Sequence, residues 1–112
     1  MLFWYNTLMS KQKHSARAEK FGITQFRVPV LRVARKRGVR NVRVFGSFAR
    51  GEQTKSSDLD LLVNMPRGST LFDLAGLKID LEETLKIKVD VIPDDSIKPA
   101  LRKRILSDAL TL

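Results

Sequence analysis

The stretch Val44-Phe45-Gly46-Ser47-Phe48-Ala49-Arg50-Gly51-Glu52 runs on through Gln53-Thr54-Lys55-Ser56-Ser57 to Asp58-Leu59-Asp60-Leu61-Leu62-Val63. One apolar run ends at a glycine–serine turn, and a second opens with two carboxylates one residue apart. Successive strand residues point to opposite faces, so Asp58 and Asp60 project from the same face, about 7 Å apart at their α-carbons. Two ionised carboxylates that close repel one another, and apolar surroundings raise the cost. A divalent cation between them removes that penalty. Mg2+ is the natural candidate, because it takes oxygen ligands and is usually completed by substrate phosphates.

A third acid follows the same logic. In Lys88-Val89-Asp90-Val91-Ile92, Asp90 interrupts an otherwise apolar strand face. If that strand lies beside Asp58–Val63, Asp90 joins the pair, and three carboxylates can hold two Mg2+ ions. One ion would clamp a triphosphate and the other would lower the pKa of an attacking hydroxyl. Asp90, the outlying member, is then the candidate to ligate the second metal and accept the proton. Gly46-Ser47 supplies the other half of the site: glycine lets the backbone approach a phosphate, and the serine hydroxyl can donate to its oxygens. If Phe48-Ala49-Arg50 begins a helical turn, its first N–H groups also face an anion. Arg50 could add charge to the phosphates, or bridge instead to Glu52 or an Asp.

Around this core the pattern predicts a small sheet covered by helices, an α+β fold. Val42–Phe45 alternates as a strand. Pro29 suits a first helical turn, with Val30, Val33 and Ala34 on one face and Gly38 as the stop. Thr70-Leu71-Phe72-Asp73 reads as a capping box, and Leu71, Leu74, Leu77, Leu81 and Leu85 repeat at helical spacing. Lys88 to Ile92 is a third strand. Ser96 is placed to cap a last helix striped by Ile97, Leu101, Ile105 and Ala109. Residues 1–28 read as a basic extension with a helix near 10–20, and residues 29–112 as the domain.

The net charge of +9 is unevenly spread. Residues 1–45 hold eleven Lys/Arg against Glu19 alone (+10), and residues 46–112 hold ten against eleven acids (−1). Basicity of this kind meets nucleic acid, an acidic partner or water. With no cysteine there is no disulfide, thiolate metal site or cysteine nucleophile, which suits a reducing cytoplasm. His14 is the lone histidine, so no Ser-His-Asp triad or histidine metal site can be built. The patterns of a nucleophile elbow and of a P-loop are both absent. The apolar opening MLFWYNTLM is far shorter than the ~20 residues a membrane helix requires.

Gly46-Ser47, ten residues, then Asp58-Leu59-Asp60, with Asp90 on a later strand, resembles the signature of the polymerase-β-type nucleotidyltransferase superfamily. FGSFARGEQTKSSDLDLLV, STLFDLAGLKIDLEETLKIKVDVI and IKPALRKRIL together resemble the minimal nucleotidyltransferases, antitoxins paired with HEPN-domain toxins. The resemblance covers residues 29–110. It implies a mixed sheet flanked by helices and transfer of AMP from ATP, with Mg2+, to an acceptor hydroxyl with release of pyrophosphate. It also implies that the acceptor is a tyrosine of a cognate HEPN ribonuclease, which modification silences. Gly46 and Ser47 carry over to phosphate binding, Asp58 and Asp60 to metal binding, and Asp90 to third ligand and base. The basic extension is longer than this family leads one to expect. Two other expectations compete: nucleotide addition to RNA 3′ ends, favoured by the basic N-terminal third, and a non-catalytic module that sheathes a toxin.

Overall fold

Three short apolar runs and a terminal dipeptide build the sheet that carries the rest of the chain. The computed structural model describes residues 15–112, with side chains from Ile23 onward. In order come helix α1 (Ser15–Lys36), strand β1 (Arg40–Phe45), the single-turn helix α2 (Ser47–Arg50) and strand β2 (Leu59–Asn64). Helix α3 (Leu71–Leu85), strand β3 (Val89–Pro93), helix α4 (Pro99–Asp108) and strand β4 (Leu110–Thr111) follow. The strands lie in the order β3-β2-β1-β4. β1 is antiparallel to β2 and to β4, whereas β2 and β3 are parallel. A parallel pair needs a crossover, and α3 is that crossover. This is the small mixed sheet flanked by helices that the sequence leads one to expect.

One face of the sheet is closed by α1 and α3. Val42 and Val44 of β1, Leu59, Leu61 and Val63 of β2 and Val89 of β3 pack there with Val30, Val33 and Ala34 of α1 and Leu77, Leu81 and Leu85 of α3. Leu62 and Ile105 are buried outside that cluster, and α4 lies against β1. The capping box of α3 is formed: the Asp73 N–H donates to Thr70 Oγ1 (3.3 Å) and the Thr70 N–H to Asp73 Oδ2 (2.8 Å).

Four sequence expectations are corrected. The helix expected to open at Pro29 runs from Ser15, with Pro29 inside it. Proline removes one backbone donor, but the apolar period does not stop there: Ile23 and Phe26 continue the core-facing stripe of Val30, Val33 and Ala34. The division drawn at 28/29 falls within this helix. Residues 10–14 of the helix expected near 10–20, and His14, lie outside the described residues. Leu71, read as part of the buried stripe, is 81% exposed. It stands in the first turn of α3 over an open cleft beside Met65 and Pro93, not over a strand. Ser96 does not cap α4; Lys98 does, held extended as residues before proline are, with Pro99 opening the helix. That helix ends at Asp108, and Leu110–Thr111 pairs with β1, where sequence periodicity had carried the helix through Ala109. Among the described residues no helix is long and apolar enough to cross a membrane.

Candidate active site

At one end of the sheet β1 stops where β2 and β3 begin, because β1 runs against both. The register there opposes Phe45 to Asp60 and Asp60 to Asp90. Neighbours of this kind share a face, so Phe45, Asp60 and Asp90 form one row across three strands. Asp58 precedes β2 by one residue, at the end of a loop fixed by Thr54 N–H to Ser57 Oγ (2.8 Å) and Ser57 N–H to Thr54 O (3.1 Å).

The glycine–serine turn closes over this row. Gly46 has φ 75° and ψ −152°, a region essentially restricted to glycine. A Cβ built on it would also run into Asp60 Oδ2. The backbone therefore demands glycine, and a side chain there would have to displace the Asp60 carboxylate, which lies against the main chain of the turn. The Arg50 N–H donates to Gly46 O (3.1 Å) and the Glu52 N–H to Ser47 O (2.9 Å), which completes α2 as one helical turn. Phe48 is buried and meets Phe26 of α1 edge-on, with centroids 5.9 Å apart and planes at 71°. That contact roots the turn in the core. The Ser47 hydroxyl has no hydrogen-bond partner among the described residues.

The electrostatics mark Asp60. Its pKa is pushed up to about 6, first by burial, then by the charges of Asp90 and Asp58, against an opposing pull from Arg50. Asp58 and Asp90 are exposed and make no hydrogen bond or ion pair among the described residues. The three carboxylates therefore share a region and sense one another. Among the described residues, however, no three groups of metal-binding type stand together around one point. The gathering at a single point expected from the sequence is not present in the side-chain positions. Like charges on neighbouring carboxylates favour separation, and exposed side chains turn readily about χ1. As a donor set, three aspartates with one of them strained by burial and repulsion suit a hard divalent cation such as Mg2+.

Arg50 takes the bridging alternative. Its Nε donates to Glu52 Oε1 (3.0 Å) and its Nη1 to Asp108 Oδ2 (2.7 Å), tying the turn to the end of α4. Its charge nevertheless reaches Asp60. Sequence reasoning passed over Phe45 and Asp108. Phe45 follows from the strand alternation once β1 is paired with β2. Asp108 lies 58 residues from Arg50, and nothing local announces that pairing. A cleft of about 870 Å³ lies at the opposite end of the sheet, lined by Arg40, Asn64, Met65, Pro66, Leu71 and Pro93. It contains none of the three acids, so volume does not locate the site; the carboxylate row does.

Residues 30–112 match the nucleotidyltransferase domain family. A Methanocaldococcus jannaschii protein assigned as a protein adenylyltransferase, MJ0435, is 42% identical over 88 residues, which span 79% of this chain and 95% of that protein. The protein adenylyltransferase MntA of Thermococcus cleftensis is 36% identical over 73 residues, 65% of this chain and 74% of that one. Among solved structures, one assigned as a minimal nucleotidyltransferase superposes with a TM-score of 0.72 at 42% identity, over 83% of this chain and 95% of that one. A chain of a toxin–antitoxin complex crystallised with AMP-PNP superposes at 0.66 over 73% of this chain and 68% of that one. At 20% identity that likeness concerns the fold alone.

Proposed function

The chain belongs to the nucleotidyltransferase domain family, and from that premise we propose that it is a protein adenylyltransferase acting as a cytoplasmic antitoxin, moving AMP from ATP to a tyrosine of a HEPN-family toxin. The observation that carries the reading is the register pair Asp60 and Asp90, set side by side on parallel strands, with the Gly46 turn packed onto Asp60. The names of the relatives, protein adenylyltransferase and MntA, support the choice of a protein acceptor.

In this reading ATP lies with its triphosphate over Gly46 and Ser47, the serine hydroxyl donating to a phosphate oxygen. Asp58, Asp60 and Asp90 would hold Mg2+, two ions in all, which when bound supply charge neutralisation at the triphosphate and a lowered pKa for the attacking hydroxyl. Phe45 stands beside Asp60 in the same row and presents an apolar neighbour to it. The tyrosine oxygen forms a bond to the α-phosphorus, the bond to the pyrophosphate oxygen breaks, and the tyrosine proton passes to Asp90. Catalysis is chiefly positioning and electrostatics. Arg50 contributes by offsetting carboxylate repulsion at Asp60, and it would reach a phosphate only by leaving Glu52 or Asp108.

The test uses ATP labelled in the α-phosphate, Mg2+, the folded chain and a HEPN-type toxin as acceptor. The toxin is expected to take the label, and the toxin's tyrosine to carry it. Asp58→Asn with Asp60→Asn is expected to lower transfer at least about a hundredfold while circular dichroism stays unchanged. Label appearing on RNA 3′ ends and not on protein would transfer the assignment to the RNA reaction. Toxin neutralisation that survives replacement of all three acids would make the chain a sheathing module.

A further inference from the structure

β3 is an edge strand among the described residues, bonded to β2 on one side and to no described strand on the other. Its outward peptide groups are nevertheless occupied at one residue. The Val89 N–H donates to Glu82 Oε2 of α3 (2.9 Å), and Lys78 Nζ donates both to Val89 O (2.5 Å) and to Glu82 Oε2 (3.0 Å). One helical turn of α3 thus grips donor and acceptor of a single strand residue. The next residue is Asp90, the register partner of Asp60.

Placed side by side, Asp60 and Asp90 repel across the β2–β3 ladder. An edge strand can yield to that force by moving away, since nothing beyond it pushes back. We propose that Lys78 and Glu82 form a positioning device that holds β3 onto β2 against this repulsion and so keeps Asp90 beside Asp60 before any ligand arrives. The proposal rests on the reading of Asp60 and Asp90 as the reacting centre. Neither Lys78 nor Glu82 touches the acids; they act through the main chain of Val89. As a half-exposed pair four residues apart on a helix, Lys78 and Glu82 would contribute little by their mutual attraction alone. Their bonds to the backbone are charge-assisted and are the stronger contacts. Covering an open strand edge against unwanted pairing is the simpler role for the same contacts, and the two roles separate experimentally.

The reporter is the amide of Leu59, which donates to Lys88 O across the two strands (2.9 Å) and is itself untouched by the clamp. Hydrogen exchange is measured on the full chain without nucleotide. Glu82→Ala is expected to speed Leu59 exchange roughly tenfold or more, Lys78→Met to speed it less, and Glu82→Gln, which keeps an acceptor for Val89, to restore most of the protection. The deciding variant adds Asp60→Asn, which relieves the repulsion at a distance. With it, the acceleration caused by Glu82→Ala is expected to shrink at least about threefold. An acceleration of equal size in both backgrounds would reduce the clamp to an edge cover and overturn the proposal. Should Glu82→Ala not fold, Lys78→Met carries the same comparison. Transfer kinetics keep the two readings apart: unchanged transfer in Asp90→Asn would sink the catalytic assignment while leaving the exchange result standing.

Discussion

Leu59 and Asp60 follow one another on β2 and meet opposite environments. Leu59 is 1% exposed, with Leu61, Val63 and Val89 beneath α1 and α3. Asp60 faces the other way, half-buried between Phe45 and Asp90. The same two strands thus hold the core with one set of alternate residues and carry Asp60 and Asp90 in the other, beside the buried Leu62. Burial helps one set and penalises the other, because an apolar side chain is stabilised by losing water whereas a carboxylate is destabilised. The raised pKa of Asp60 reflects that penalty first, with repulsion from Asp90 and Asp58 added to it. Stability and chemistry are therefore separable here by single substitutions along one strand.

The hardest test of that separation is Leu61→Ala. Leu61 is fully buried, so its truncation is expected to cost about 2–5 kcal/mol in urea denaturation, with transfer per folded molecule retained. A large loss of transfer without a loss of stability would break the division. Gly46→Ala strikes both sides at once: the backbone strain is expected to cost about 1–3 kcal/mol, and the side chain to displace Asp60 and weaken nucleotide binding in calorimetry.

Asp60→Asn is expected to move stability in the opposite direction, raising that of the metal-free protein by roughly 1–2 kcal/mol near pH 8, a figure reduced for solvent screening. Its sign follows from linkage. The folded pKa of about 6 lies above the ordinary 3.8, so the stabilisation from the protonated carboxyl is complete below 3.8 and lost as pH rises through 6. The gap between wild type and Asp60→Asn is therefore expected to open between those two values and to level off above pH 7. Phe72, 88% exposed on α3, should matter least, with Phe72→Ser within about 0.5 kcal/mol of wild type.

What the sequence discloses is what depends on near neighbours. Thr70 and Asp73 announce their capping box three residues apart, and the alternation around Asp60 assigns each side chain its face. The parallel pairing that brings Asp90 to Asp60 is inferable because the crossover helix between them is itself legible. What stays hidden is either long-range or ambiguous locally. Pro29 reads as a helix start because proline suits a first turn, yet Ile23 and Phe26 supply enough apolar surface to carry the helix through it. Leu110–Thr111 gives no strand signal; it becomes one only because β1 has a free edge to offer. Arg50 has an acid two residues away at Glu52, which sequence reasoning named, and one 58 residues away at Asp108, which it could give only as an unnumbered Asp.

The crossover through α3 also sets how far apart along the chain the two facing carboxylates lie. Asp60 and Asp90 have no reason to approach in an unfolded chain, and during synthesis Asp60 emerges well before its counterpart. In the folded sheet the helix between them spans the return from the end of β2 to the start of β3. The conflict between the two carboxylates therefore belongs to the folded sheet alone: it arises only once the strand after the crossover pairs with β2.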